Sequence, residues 1–213
     1  MSLHSVLARS AIVLAGTLLL VALAVPATAS HSLPPNCQGH PYTLIGTHGN
    51  DNSSLGGTSL IGTSVLDSIA GDLGSDRIEG RSGNDRLCGN EDPDIILGEG
   101  GDDVINGGAG TDSIQGGDGA DTVLGGSTLD NLTGNAGNDN VQGNLGDDLV
   151  SGRGGVDTLR GDEDNDDLAD GLNGDNLTGN AGTDEWFMCD DGIADANMGI
   201  EIVHQPSASN CNI

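Results

Sequence analysis

The stretch GGAGTDSIQ-GGDGADTVL, Gly107 to Leu124, decides the fold of this chain. It contains two blocks of nine residues with one plan: glycine first, aspartate sixth and an apolar residue eighth. The plan continues in register, without an insertion, from Gly62 to Phe187, a span of fourteen such blocks. The first position is glycine in every block but one, where Asp170 replaces it.

Two positions of the block never change in character. The sixth is always aspartate: Asp67, Asp76, Asp85, Asp94, Asp103, Asp112, Asp121, Asp130, Asp139, Asp148, Asp157, Asp166, Asp175 and Asp184. The eighth is always apolar: Ile69, Ile78, Leu87, Ile96, Ile105, Ile114, Val123, Leu132, Val141, Val150, Leu159, Leu168, Leu177 and Trp186.

One committed apolar position in nine is too few for a helix, which needs an apolar residue every three or four. Glycine at this density would also weaken a helix by roughly 1 kcal/mol per residue. The blocks therefore predict short strands of three residues, with the eighth position inward and the seventh and ninth outward. Glycines at the first and fourth positions would allow a positive φ in the turns. Because so short a strand cannot bury its face alone, the blocks must stack into an all-β solenoid.

The pattern G-G-x-G-x-D-x-U-x resembles the RTX, or hemolysin-type, calcium-binding repeat, and the resemblance covers well over half of the chain. It implies a right-handed parallel β-roll with two nonapeptides per turn. It also implies multiple structural Ca²⁺ ions in the turns, held by the sixth-position carboxylates and by backbone carbonyls of stacked loops. The fourteen aspartates given above are therefore the candidate metal ligands.

The composition agrees with an oxygen-rich cation site. The chain has no lysine and only five arginines after Arg9, against 33 acidic residues. Calcium prefers hard oxygen ligands, which aspartate and the backbone carbonyl supply. A merely solvating acidic chain would not keep one residue type at one phase of a repeat. The strong negative charge also excludes nucleic acid as a partner.

Two nonapeptides per turn would place the ions in two separate columns, one along each edge of the roll. The odd-numbered blocks carry glycine at the fourth position from Gly83 through Gly155, whereas the even-numbered blocks include Thr128 there. β-branched residues resist positive φ. We therefore expect the tightest calcium binding on the odd edge, from Asp85 through Asp157, and the weakest around Thr128.

Residues 1–29 are typical of a secretory signal. Arg9 precedes an apolar run from Ala11 to Val25, and Ala27-Thr28-Ala29 provides a small-residue site, so cleavage is expected after Ala29. The alternative, a membrane anchor, is disfavoured because the run is short for a bilayer span. The expected product is secreted and extracellular, with no membrane span after cleavage. RTX toxins usually leave by an uncleaved C-terminal signal, so their biology does not carry over directly.

The repeats have irregular segments on both sides. Residues 30–61 form a leader and an N-terminal cap, in which Thr43-Leu44-Ile45 is a candidate first strand and Gly46–Asp51 repeats the turn signature out of phase. The roll occupies 62–187. Residues 188–213 form the C-terminal cap and tail, with a candidate last strand around Ile202. Trp186 is expected to close the core at that end.

Four cysteines remain after processing: Cys37, Cys88, Cys189 and Cys211. An even count in an exported chain indicates two disulfides, and four cysteines allow three connectivities. Cys88, a ninth-position residue, should point outward near the N-terminal end. We predict Cys37–Cys88 and Cys189–Cys211; free thiols are the alternative.

The chain lacks familiar catalytic patterns. It has neither H-E-x-x-H nor G-x-S-x-G, and its only aromatic residues are Tyr42, Trp186 and Phe187. No threonine ladder of the ice-binding kind occurs on the outward positions. The sequence thus favours a non-enzymatic calcium-binding protein that serves as a rigid extracellular spacer or binding module. An adhesin or matrix protein that recognises a glycan or surface partner is the alternative, and a small hydrolase is less favoured.

Overall fold

The chain folds into a stack of short β-strands. The computed structural model describes residues 43–46, 49, 51, 59–172, 174–187 and 202–204. The strands in chain order are β1 (Leu44–Ile45), β2 (Leu60–Ile61), β3 (Ser68–Asp72), β4 (Arg77–Ser82), β5 (Arg86–Glu91), β6 (Ile95–Gly100), β7 (Val104–Ala109), β8 (Ser113–Asp118), β9 (Thr122–Ser127), β10 (Asn131–Ala136), β11 (Asn140–Leu145), β12 (Leu149–Gly154), β13 (Thr158–Glu163), β14 (Asp167–Leu172), β15 (Asn176–Ala181), β16 (Glu185–Phe187) and β17 (Ile202–His204).

Successive strands alternate between two parallel sheets. The first sheet has the order β1-β3-β5-β7-β9-β11-β13-β15, and the second β17-β16-β14-β12-β10-β8-β6-β4-β2. Within the repeats, register partners are eighteen residues apart, as in Leu87↔Ile105 and Leu132↔Val150. Two nonapeptides therefore make each turn of a parallel β-solenoid of about seven turns. The predicted all-β solenoid is confirmed.

The core is a single column of apolar side chains between the two sheets. All fourteen eighth-position residues, from Ile69 to Trp186, are at most 1% exposed. Leu60 of β2 extends this column at the N-terminal end. Trp186 is 1% exposed and is the register partner of Leu168 on one side and of Val203 on the other, so it carries the core column as far as the last described strand, β17.

The strands are longer than expected, because most span six residues rather than three. Each begins at the seventh position of one block and continues through the third position of the next. The backbone at the first glycine remains regular enough to extend the strand, and the chain bends at the second position instead. There φ is positive even for non-glycine residues, for example +86° at Asn90 and +80° at Asn144.

The expectation that the first position needs glycine in order to adopt a positive φ is therefore wrong. The described first-position glycines do not have positive φ, whereas the described second and fourth positions do in every block after the first. The first position needs glycine because of close approach. A Cβ on Gly80 would lie 2.6 Å from Oδ2 of Asp85 and 2.9 Å from the carbonyl oxygen of Gly98.

Both ends of the stack depart from the repeat. At the N-terminal end, β1 pairs with β3, which confirms the expected first strand. At the C-terminal end, β17 pairs with β16 and includes Ile202. The signal segment and Cys37, Cys189 and Cys211 lie outside the described residues. In the part of the chain that is described, no helix has the length and apolar character required to cross a membrane.

Candidate metal centre

The sixth-position aspartates occupy equivalent places, each at the last residue of a turn and directly before a strand. Their side chains are buried: Asp67 is 6% exposed and the other thirteen are at most 3% exposed. The odd-numbered blocks place their aspartates on one edge of the roll and the even-numbered blocks on the other. The structure therefore arranges all fourteen predicted residues into two columns.

From Asp76 onward, the backbone of the preceding turn holds one carboxylate oxygen of each aspartate, whereas Asp67 accepts hydrogen bonds from Thr43 at Oδ1 and from Thr63 at Oδ2. The N–H of Asp103 donates to Oδ1 of Asp121 at 2.8 Å, and the N–H of Asp121 donates to Oδ1 of Asp139 at 2.9 Å. The same bond recurs on both edges from Asp67 to Asp184, at 2.7 to 3.0 Å. Each side chain is thus fixed by the turn before it, which leaves its second oxygen with a defined direction.

The second oxygen, Oδ2, points toward the first-position glycine of the same block. It shares that space with the first-position carbonyl oxygen of the next turn. A Cβ on Gly71 would lie 2.5 Å from Oδ2 of Asp76 and 2.7 Å from the oxygen of Gly89. A Cβ on Gly125 would likewise lie 2.5 Å from Oδ2 of Asp130 and 2.8 Å from the oxygen of Gly143. A carboxylate and a carbonyl oxygen therefore converge beside the first-position glycine in each block from Gly62 to Gly125, and again at Gly143.

These Oδ2 atoms are buried without a hydrogen bond. This holds for Asp76, Asp85, Asp94, Asp103, Asp112, Asp121, Asp130, Asp139, Asp148, Asp157 and Asp166. A buried carboxylate oxygen with no partner is unfavourable unless a proton or a cation compensates it. The same oxygen atom, Oδ2, lacks a hydrogen-bond partner in turn after turn. The missing partner is therefore a property of the repeated turn and not of one residue.

Burial raises the pKa of these carboxyl groups, since it penalises the charged form. The bond from the preceding backbone N–H opposes the rise, while neighbouring carboxylates add to it. The pKa reaches about 8 at Asp94 and Asp130. It reaches about 7 at Asp103, Asp112 and Asp166. It reaches about 6 at Asp76, Asp121, Asp148 and Asp157, and is also raised at Asp85 and Asp139.

The donor set fits calcium, but not as a cluster of side chains. Among the described residues, no group of three or more His, Cys, Asp or Glu side chains is placed to hold a metal ion. One carboxylate per layer must therefore be completed by backbone carbonyls and solvent. Calcium accepts such mixed oxygen shells of six to eight ligands, whereas zinc prefers nitrogen and sulfur.

The fourth position of the block has positive φ on both edges. The predicted difference in calcium affinity between the odd and even edges depends on this conformation. On the odd edge it is occupied by glycine at the described positions from Gly83 to Gly155. On the even edge Thr128 adopts φ +77°, a conformation that a β-branched residue resists. Val65, in the first block, does not adopt a positive φ. The ranking of calcium affinity itself stays a prediction.

The two edges also differ in backbone bonding. On the odd edge the N–H groups of Gly83, Gly101, Gly119 and Gly137 each donate to a third-position carbonyl of the next turn, all at 2.8 Å. Among the described residues of the even edge, only Gly110 makes the equivalent bond, at 3.3 Å. The odd turns are therefore held in a more regular stack.

One site residue escaped the sequence-based assignment. Asp51 is 6% exposed, and its N–H donates to Oδ1 of Asp76 at 2.6 Å, as the aspartates of the even column do. A Cβ on Gly46 would lie 2.8 Å from Oδ2 of Asp51, which reproduces the repeated turn. Asp51 thus begins the even column. The spacing Gly46-x-x-Gly49-x-Asp51 was the signal, hidden by the seven-residue phase change before the regular repeats.

The comparison with known families agrees with this geometry. The model of the RTX calcium-binding nonapeptide repeat matches four times, at residues 61–96, 97–132, 124–159 and 133–168. These matches together span 61–168, slightly more than half of the 213 residues. No curated protein and no solved structure matches the chain significantly. The repeated turns, their columns of aspartates and this match show that the chain belongs to the RTX calcium-binding nonapeptide repeat family.

Proposed function

We propose that this protein is a secreted calcium-binding spacer whose repeats fold around structural Ca²⁺. The observation that carries the proposal is the recurring Oδ2 atom, buried without a hydrogen bond at the same place in turn after turn. Oδ2 and the first-position carbonyl of the next turn would hold the ion together, for instance Asp85 with Gly98.

Bound Ca²⁺ would supply the positive charge that the buried carboxylates lack. Without it, carboxylates in successive layers, about 5 Å apart, repel by roughly 1–3 kcal/mol per pair, depending on the effective dielectric. The core offers only one apolar side chain per strand to oppose this repulsion. The chain is therefore expected to remain largely unfolded without calcium, so that the free energy of ion binding becomes free energy of folding.

The proposed site of action is outside the cell. Residues 1–29 have the plan of a cleaved secretory signal. A chain that stays unfolded until it meets calcium is suited to export in an extended form. Calcium outside the cell would then fold it after transfer.

A spacer role is supported by the outer surface of the roll. Its larger exposed apolar residues, such as Leu129, Leu145 and Val156, are interspersed with polar and acidic positions. Seven turns at about 4.8 Å per layer give a rod roughly 34 Å long. Trp186 is 1% exposed and cannot serve as a sugar platform, so it does not favour the adhesin alternative. We propose a binding and structural role rather than a catalytic one.

The test is a calcium titration followed by far-ultraviolet circular dichroism. In excess chelator the purified chain should lack most of its β signal and gain it cooperatively as calcium is added. Magnesium at the same concentration should be much less effective, because it demands near-ideal octahedral geometry. A full β spectrum in chelator, unchanged by calcium, would contradict the proposal.

A further inference from the structure

The two edges of the roll differ in charge, although each carries seven of the sixth-position aspartates. Around the turns, at the second to fifth and seventh positions of the fourteen blocks, the odd edge has three arginines and three acidic residues. The same positions on the even edge have one arginine and nine acidic residues. Ions bound in equal number to the two columns would change both edges alike. The odd edge is therefore much less negative than the even edge.

Two exposed arginines of the odd edge lie four layers apart. Arg81 and Arg153 both occupy the second position of a block, and the strand register runs between them through Glu99, Gly117 and Asn135. Four strand spacings separate them by about 19 Å along the roll. In the described part of the chain the Arg81 side chain has no hydrogen bond or ion pair, and Nη1 of Arg153 donates to Oδ1 of Asn135 at 3.5 Å. Both guanidinium groups are thus available to a partner.

These two arginines have a backbone conformation that arginine disfavours. Their φ angles are +81° and +73°. At the second position of the even blocks, where φ is also positive, the residues are all Asn, Asp or Gly, the types that tolerate this conformation. Strained positions persist where the strained residue has a use. The arginines therefore mark a surface with a role outside the fold itself.

The even edge carries two acidic pairs at the same spacing. Glu91 and Asp92 occupy the third and fourth positions of one block, and Glu163 and Asp164 occupy the same positions four layers later. All four side chains are exposed. In the described structure the carboxylates of Glu91, Glu163 and Asp164 have no hydrogen bond or ion pair, while Asp92 accepts one bond, from the N–H of Gly74 at 3.1 Å. The acidic pairs are therefore also about 19 Å apart and open to a partner.

We propose that copies of this chain associate side by side and parallel, odd edge against even edge, so that Arg81 of one copy meets the pair Glu91–Asp92 of the next while Arg153 meets Glu163–Asp164. A second copy fits because it presents both acidic pairs at the spacing of both arginines. Each copy keeps one unused edge of each kind, so the contact does not close and the rolls form a flat ribbon. This assembly goes beyond the proposed spacer function of a single roll.

The remaining charges select one alignment of the two copies. In this alignment each odd turn lies beside the even turn that follows it in the chain. The other acidic residues of the odd edge, Glu99, Asp102 and Asp118, then lie beside blocks 107–115 and 125–133, which contain no charged residue except the sixth-position aspartate. A copy shifted by one layer would instead place Glu99 and Asp102 beside the first acidic pair, where like charges repel.

The contact should be weak and sensitive to salt. An edge about 34 Å long and about 10 Å wide offers roughly 340 Å² per copy, less than half of the about 800 Å² per partner of a stable interface. Ion pairs between exposed side chains also contribute little each. Association is therefore expected at high protein concentration or where many copies are held close together.

Sedimentation equilibrium of the full chain in saturating calcium tests the association. The weight-average mass should rise with concentration up to about 1 mM at low ionic strength. The rise should disappear in about 1 M salt, where the Debye length is about 3 Å. A monomer mass at every concentration in low salt would overturn the ribbon. Folding is checked separately by circular dichroism, so this failure would leave the calcium proposal intact.

A matched pair of variants separates the edge contact from net charge. Arg153→Glu and Arg160→Glu change the charge equally at exposed positions, but Arg160 lies on the outer face of the first sheet, away from the edge. Arg153→Glu should weaken association at least about tenfold and Arg160→Glu by less than about twofold. Glu99 already has φ +74° at the second position, so a glutamate is accommodated there. Equal weakening in the two variants would overturn the edge contact.

Exchange of the charges tests the pairing of the two edges. The double variants Arg81→Glu/Arg153→Glu and Glu91→Arg/Glu163→Arg should each remain monomeric, because like charges meet in both. An equimolar mixture should associate as the unaltered chain does, since the altered edge of each variant complements an edge of the other. A monomeric mixture of folded variants would overturn the proposal. Self-association of Glu91→Arg/Glu163→Arg at the strength of the unaltered chain would also overturn it, because the even edge would then take no part.

Discussion

Thr128 is the one β-branched residue with positive φ among the described residues, and its replacement by glycine should stabilise the protein. Thr128 lies in the turn between β9 and β10 with φ +77°. A β-branched residue in the left-handed region is disfavoured by about 1–2 kcal/mol. Glycine removes that strain but costs about 0.5–1 kcal/mol of entropy, because it frees the unfolded chain. The net expectation for Thr128→Gly is a gain of about 0.5–1 kcal/mol in the free energy of unfolding.

The matched control is Thr111→Gly, on the same edge and one turn earlier. Thr111 is exposed, as Thr128 is, but its φ is not positive. Here glycine relieves no strain and should lower the free energy of unfolding by about 0.5–1 kcal/mol. Urea unfolding at one fixed, saturating calcium concentration measures both variants. The same chemical change should thus shift stability in opposite directions. Equal losses in the two variants would refute the reasoning that the fourth position imposes a strained φ.

Three further predictions concern the ions, the protons and the end of the core. Asp121→Ala should raise the calcium concentration needed for half-folding more than Asp130→Ala, because Asp121 lies in the regular odd edge; equal midpoints, or a larger shift for Asp130→Ala, would contradict this ranking. In chelator, β-structure should increase as the pH falls from about 8 to about 4, because the raised pKa of groups such as Asp94, about 8 against an unfolded value of 3.8, favours the protonated folded state. The stabilisation that protonation contributes is complete below the unfolded pKa, and it is lost as the pH rises through the folded pKa values of about 6 to 8. An increase in β-structure toward alkaline pH would contradict this role of the protonated carboxyl groups. Trp186→Ala should lower the free energy of unfolding by about 3–5 kcal/mol in calcium, measured by urea unfolding, because it opens the fully buried end of the core; a loss below about 1 kcal/mol would mean that the end is closed by other residues.

The repeat itself made most of the fold predictable from the sequence. A fixed aspartate and a fixed apolar residue every nine positions leave only a stacked β arrangement, and the structure has it. The apolar column from Ile69 to Trp186 and the two columns of aspartates follow directly from the phase of the pattern. Asp51 was not assigned because its turn precedes a change of phase, and a periodic argument loses residues outside the period.

Other features depend on three-dimensional contacts that a periodic pattern does not encode. The strand length was underestimated because the backbone of the first-position glycine continues the strand, while the bend falls one residue later. Asn90 and Asn144 have equivalent places in the repeat, so the sequence could not show that Asn90 is buried and Asn144 only half-buried. Cys88 was expected to point outward, and it lies at an outward position of β5, but it is 3% exposed.

The most direct test of calcium binding by the turns is a crystal structure of the chain grown in calcium, with anomalous data collected at a wavelength where calcium scatters measurably. Anomalous peaks are expected between successive turns, about 2.3–2.6 Å from Oδ2 of Asp85, Asp103 and Asp121 on the odd edge and of Asp94, Asp112 and Asp148 on the even edge. If these oxygens instead contact only water or protein groups, with no anomalous peak beside them at saturating calcium, the aspartate columns are not calcium sites.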